Sequence, residues 1–149
     1  LPHLNLKEKV NFEHMMSNNE LFEILSDGEI QELRKGERRL KLAPEETLYA
    51  QGDRGDSLYL VVEGLLQSSC FFSEKEVERK IERIQAGRHF GEDCVMGRKE
   101  RACTIRATSE AVLLAYEGHR VRSMAKKNGK FLALLNKNLN FSEERIERS

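Results

Sequence analysis

Glu92 and Arg101 are side chains of opposite charge, nine positions apart and flanked by glycines and small residues. They sit in a stretch running Phe90-Gly91-Glu92-Asp93-Cys94-Val95-Met96-Gly97-Arg98-Lys99-Glu100-Arg101-Ala102-Cys103-Thr104 and on to Thr108. Gly91 opens it, Gly97 marks a loop, and two small residues follow the arginine. The pattern reads as a short turn exposing backbone N–H groups, returning to a strand that carries a guanidinium. Main-chain N–H groups at a helix start, together with an arginine fork, form a seat for a phosphate. Taken singly, each residue has a plainer reading. Arg101 would be a surface arginine paired with Glu100 or Asp93, Glu92 a solvated carboxylate, and the glycines turns. Only the grouping points to an anion site.

Such a stretch needs a frame. Residues 7–25 read as helical, with Val10, His14, Leu21, Ile24 and Leu25 near a helical period and Asn18-Asn19 as an interruption. Ser26-Asp27-Gly28-Glu29 has the form of a capping box that starts a further helix with Ile30 and Leu33 inward, ended by Gly36. From Arg38 the pattern becomes one of short strands. Leu40 and Leu42 alternate with charged residues, Pro44 stops the run, and Thr47 to Ala50 follows. Gly52 and Gly55 bracket a charged turn in which Asp53 and Asp56 act as turn-formers. Ser57–Glu63 and Leu65–Phe72 read as paired strands, with Tyr59 in the core and residues 73–76 as a charged hairpin tip. The spacing of Val77, Ile81 and Ile84 suits a helix. Residues 101–108 and 111–116 read as strands. Helix resumes at Glu117, is capped at Asn128-Gly129, and resumes with Phe131, Leu132, Leu134, Leu135 and Leu139 on a last helix. Leu132 and Leu135 read as packing residues. Residues 142–149 read as a charged tail that frays.

At 149 residues the chain is long enough for one domain with a real core. Lysine plus arginine equal aspartate plus glutamate at 25 each, which argues against general nucleic-acid affinity. No apolar run reaches the length of a membrane span, and no signal-peptide pattern is present. The chain begins Leu1-Pro2, as an excised piece of a longer protein would. Cysteines 70, 94 and 103 form no Cys-x-x-Cys pair and read as reduced thiols, as in cytosol. Cys94 and Cys103 flank the same loop and read as small space-fillers rather than a redox pair. The four histidines have no metal-ligand spacing, so no metal and no catalytic set are expected.

Three blocks in order carry a family resemblance. The 90–108 stretch resembles the phosphate-binding cassette of cyclic nucleotide-binding domains: Phe-Gly-Glu, one residue, a small residue, a loop with glycine, then Arg-Ala-x-Thr. Gly52-Asp53-Arg54-Gly55-Asp56-Ser57-Leu58-Tyr59 through Gly64 resembles a second family run. Leu21-Phe22-Glu23-Ile24-Leu25-Ser26-Asp27 resembles its helical lead-in. Asp93 departs from the pattern, standing where relatives carry an apolar residue.

The resemblance implies a mainly β fold with flanking helices: a jelly-roll β-barrel with N-terminal helices and two C-terminal helices. It divides the chain into a helical lead-in at 1–16, the binding domain at 17–141 and the tail at 142–149. It makes residues 77–84 a strand. It implies a non-enzymatic regulatory domain with no cofactor, whose ligand is cAMP or cGMP. Candidate binding residues are Gly91, Glu92, Asp93, Cys94, Arg101, Ala102 and Cys103. Arg101 would hold the phosphate, aided by the N–H groups of Cys94 and Ala102. Gly91 would allow close backbone approach, and Glu92 would accept from the ribose 2′-hydroxyl. Ala102, where cGMP-preferring relatives often carry threonine, tilts the expectation to cAMP. A residue of the last helix would cover the base. The expected partner is an effector domain elsewhere in the parent protein, such as a channel or kinase-type enzyme. No nucleic acid is expected, and a homo-oligomer is left open. The location implied is the cytoplasm, including the cytosolic side of a membrane protein. The alternative reading is a degenerate copy of the fold that serves as an interaction module, with Asp93 spoiling the pocket.

Overall fold

The computed structural model describes residues 3–72 and 77–148; the expected hairpin tip at 73–76 lies outside them. Three helices lead: α1 (Leu6–Met16), α2 (Glu20–Glu23) and α3 (Asp27–Leu33). Each starts on a side chain that satisfies otherwise unpaired N–H groups. Asn5 and Ser26 form capping boxes with Glu8 and Glu29, and Asn19 Oδ1 accepts from the N–H groups of Leu21 and Phe22. The inner face of α1 differs from the expected one. Val10 is 57% exposed, and Glu8, Phe12 and Met15 are buried instead. A charged residue can face inward there because Arg39 Nε and Nη2 each donate to the Glu8 carboxylate at 2.7 Å. That fork holds the Glu8 carboxyl below its ordinary range, against the opposing effect of burial.

Eight strands follow in two antiparallel sheets. They are β1 (Arg38–Leu42), β2 (Thr47–Tyr49), β3 (Ser57–Glu63), β4 (Leu65–Phe72), β5 (Val77–Gln85), β6 (His89–Phe90), β7 (Thr104–Ala107) and β8 (Ala111–Glu117). One sheet has the order β1-β8-β3-β6 and the other β2-β7-β4-β5. This is the β-roll with flanking helices. β3 and β8 are buried on both faces, which explains their unbroken apolar runs. On one face Leu58, Leu60, Leu114 and Tyr116 meet the helices; on the other Tyr59, Val61, Leu113 and Ala115 meet the second sheet.

Residues 77–85 are a strand, paired with β4 along its whole length. The helical spacing there misleads because most of β5 faces solvent and only Ile84 is buried, so periodicity carries no burial signal. The strand expected from 101 starts at Thr104, because Arg101 and its neighbours are held in a turn.

Two helices close the chain, α5 (Gly118–Lys127) and α6 (Gly129–Arg148). α6 continues through the residues read as a tail, so its backbone is helical to Arg148. Phe131 and Leu135 are fully buried against the helical core. Among the described residues, no helix is long and apolar enough to cross a membrane.

Candidate ligand-binding site

A four-residue helix, α4 (Glu92–Val95), follows β6 and begins the site. Gly91 precedes it with φ 99°, in the left-handed region. A Cβ there would stand 2.7 Å from the Ser57 carbonyl oxygen and 3.2 Å from Arg101 Nη1, so glycine is required both by conformation and by space.

Arg101 is among the largest fully buried side chains of the described residues, at 1% exposure. Its plain reading as a surface residue therefore fails, although its pairing with Asp93 is present. Nη1 donates to the Gly91 carbonyl at 3.1 Å and to Asp93 Oδ1 at 2.9 Å. Nη2 donates to the Ser57 carbonyl at 3.0 Å. The guanidinium carbon lies 4.3 Å from the Tyr49 ring centroid, in cation–π contact. The charged turn at 52–56 clasps the backbone of Arg101. The Arg101 N–H donates to the Asp53 carbonyl at 2.7 Å, and its carbonyl accepts from Gly52 N–H at 2.9 Å. Gly55 leaves room for the side chain; a Cβ there would lie 2.8 Å from Arg101 Nε.

Asp93 carries the unexpected feature. Oδ1 accepts from the Cys94 N–H at 2.8 Å as well as from Arg101, and Oδ2 accepts from the Ala102 N–H at 3.1 Å. The three donors that the sequence reading assigns to a ligand phosphate thus converge on one carboxylate of the chain itself.

Glu92 faces the same hollow and is 6% exposed. Burial pushes its carboxyl up to about 7. Oε1 lies 3.2 Å from His89 Nε2 but makes no hydrogen bond among the described residues. The hollow beside it is mainly apolar, with Ile84, Phe90 and Ile105 along the sheet side and Leu139 and Ile146 from α6 above. Those two helix positions are seven apart, the spacing of one face. Leu132 and Leu135 do pack into the core, while Leu139 and Ile146 on the next turns of α6 line the hollow.

The cysteines differ from expectation. Cys103 is joined to Cys70 of β4 in a disulfide, and Cys94 stays a free, buried thiol pushed upward by burial. The reading of three reduced thiols is thereby corrected. β4 runs beside β7, and the Ser69–Thr104 pairing sets Cys70 next to Cys103, a neighbour relation that cysteine spacing does not reveal. The cytosolic expectation loses the support it drew from free thiols. Asp56 is more than a turn-former: it accepts from Arg122 Nη1 and Nη2 of α5 at 2.6 and 3.0 Å. Arg122 also donates to the Val95 carbonyl of α4 at 3.3 Å. The contacts of Tyr49, Ser57, Cys70 and Arg122 all escaped the sequence reading, since they join distant parts of the chain.

The family model described as the cyclic nucleotide-binding domain matches residues 39–128. The chain belongs to the cyclic nucleotide-binding domain family. Among curated relatives, the cAMP-dependent protein kinase regulatory subunit of Mucor circinelloides f. lusitanicus is 32% identical over 102 residues, which are 68% of this chain and 22% of that protein. The domain spans 15%, 22% and 26% of the curated relatives it matches, so each of them is far longer. The sensor domain of the transcriptional regulator DNR from Pseudomonas aeruginosa superposes with a TM-score of 0.77 over 95% of both chains, at 21% identity. The regulatory subunit of a cAMP-independent protein kinase A from Trypanosoma cruzi, bound to guanosine, gives a TM-score of 0.74 at 16% identity, covering 88% of this chain and 45% of that one. At these identities the structural neighbours establish the cyclic nucleotide-binding fold.

Proposed function

We propose that this domain is a non-catalytic receptor for a cyclic nucleotide, with cAMP preferred over cGMP, and that it passes a ligand-induced change to an effector module of its parent protein. The observation that carries the reading is the convergence of Arg101 Nη1 and the Cys94 and Ala102 N–H groups on one anion beside an apolar hollow. One full positive charge and two neutral donors suit a singly charged cyclic phosphate. Glu92 Oε1, buried and with no hydrogen bond among the described residues, suits a ribose hydroxyl, because an acceptor so placed gains by accepting a hydrogen bond. Ala102 offers no side-chain hydroxyl to a guanine. No cofactor takes part.

Binding regulates only if it favours one arrangement over another. Arg122 ties the cassette and the 52–56 turn to α5, and Leu139 and Ile146 of α6 lie over the hollow. Closure of these helices over a base is the expected motion, and useful regulation requires a coupling of about 1–3 kcal/mol. The effector in this reading is a channel, kinase-type or other output domain of the parent protein, and the cytoplasmic placement rests on such relatives alone.

A second reading, that of an interaction module that takes no ligand, is favoured by one observation: Asp93 already occupies the anion seat. Isothermal titration of the pure domain with cAMP, cGMP and guanosine separates the two. Heat of binding with cAMP stronger than with cGMP supports the receptor. No heat with any of the three up to millimolar concentration supports the interaction module, and heat with guanosine alone removes the phosphate from the recognition.

A further inference from the structure

We propose that Asp93 is a built-in anion that competes with ligand phosphate for the seat, and so sets how strongly the site binds. The inference deepens the receptor reading and rests on it for the identity of the natural ligand. It stands on three contacts to one side chain. Oδ1 takes the Cys94 N–H and one Arg101 nitrogen, and Oδ2 takes the Ala102 N–H. These are the donors a phosphate would need, and two anions cannot share them without a large repulsive cost in a buried setting. A ligand phosphate therefore enters by exchange: the carboxylate leaves the seat as the phosphate arrives.

A second observation is that the guanidinium is not fully satisfied with Asp93 in the seat. Arg101 is fully buried, yet its Nε has no hydrogen-bond partner among the described residues. A buried guanidinium gains from each further acceptor. Asp93 places a single oxygen on the guanidinium, and that oxygen is shared with the Cys94 N–H. A phosphate brings more oxygens than a carboxylate, and it is not anchored to the backbone between Glu92 and Cys94. Asp93 is also only partly buried, with its side chain 16% exposed, so it has solvent to move into. The geometry thus holds the seat closed without ligand while leaving the internal anion displaceable.

The test compares the natural chain with Asp93→Ala and Asp93→Asn. Two probes are used: cAMP by calorimetry, and inorganic phosphate by thermal melting in a phosphate-free buffer. Removing the charge should tighten cAMP binding at least tenfold in both variants. Inorganic phosphate should raise the melting temperature of Asp93→Ala, by refilling the seat, and leave that of the natural chain unchanged. Asp93→Asn keeps the side-chain shape and serves if the alanine variant folds poorly. Should cAMP bind the natural chain, and bind both variants no better, the receptor reading stands and the internal-anion inference is overturned. Should cAMP bind none of the three while phosphate stabilises Asp93→Ala, the inference stands and the receptor reading fails. No response of either variant to either probe overturns the inference.

Discussion

His89 Nε2 and Glu92 Oε1 stand 3.2 Å apart, both buried, and the contact is not an ion pair. Burial pushes the imidazole down to about 4 and the carboxyl up to about 7, so near neutral pH the imidazole carries no charge. The surrounding network fixes the imidazole. Asn19 Oδ1 is committed to the N–H groups of α2, so its amide nitrogen, 3.0 Å away, faces His89 Nδ1, which must accept. Nε2 lies 2.9 Å from the side-chain amide nitrogen of Asn138 on α6 and 3.2 Å from Glu92 Oε1. One ring thus joins the leading helices, the closing helix and the carboxylate that faces the hollow.

Glu92→Gln should change the pH dependence of stability. The folded carboxyl, near 7, keeps a proton that the unfolded one releases at 4.5, so between those values the folded state binds more protons and its stability falls as pH rises. His89 works oppositely: its folded value near 4 lies below 6.5, so its contribution rises with pH across that window. The glutamine variant should therefore gain on the natural chain by about 3 kcal/mol between pH 4 and pH 8. Denaturant melts across this range check it; a gap independent of pH would show that the carboxyl titrates normally.

Arg101→Ala should weaken cAMP binding by about 100-fold or more, because a charge-assisted contact is lost from a buried seat. Arg101→Lys should fail to restore it, since an ammonium cannot reach Gly91, Ser57 and the anion at once. Calorimetry measures both, and near-ultraviolet circular dichroism verifies the fold. Unchanged affinity in the alanine variant would remove the anchor.

Arg122→Ala should separate binding from its transmission. The Asp56–Arg122 pair is half exposed, so its loss should cost stability only about 0–1 kcal/mol. Hydrogen exchange should then show cAMP-dependent protection at the cassette but not in α5 and α6. Full protection of both helices in the variant would mean that coupling runs elsewhere.

Glu8→Ala should destabilise the domain by about 1–2 kcal/mol, because the two charge-assisted hydrogen bonds are lost while Arg39, 28% exposed, can turn to solvent. The same pairing is stabilising above pH 4.5 and is lost as pH falls below it, because the folded carboxyl titrates lower than the unfolded one. Chemical denaturation at pH 7 and pH 3 tests both statements.

Alkylation of the unfolded, unreduced protein should label Cys94 alone, with mass spectrometry locating the tag. The disulfide closes a segment with a sequence separation of 33, which in the chain-entropy account is worth about 3–4 kcal/mol. Cys70→Ala should lower the melting temperature accordingly, and addition of a thiol reductant should lower only that of the natural chain. Three labelled cysteines would return the chain to the reduced state read from its sequence.

The sequence alone determined the β-roll, through a family resemblance, and the Ser26–Glu29 capping box, because these depend on local patterns: glycine turns, alternating strands, an N-cap side chain and a contiguous cassette. It also marked Asp93 as the departure from the family pattern. Only the tertiary structure decided what that departure does, since the carboxylate's partners follow from how α4 and the turn before β7 face each other. The same holds for Cys70 with Cys103, Arg39 with Glu8, Arg122 with Asp56, and α6 over the hollow. Each pair is brought together by sheet pairing or helix packing across long stretches of chain, and no spacing along the chain encodes such contacts.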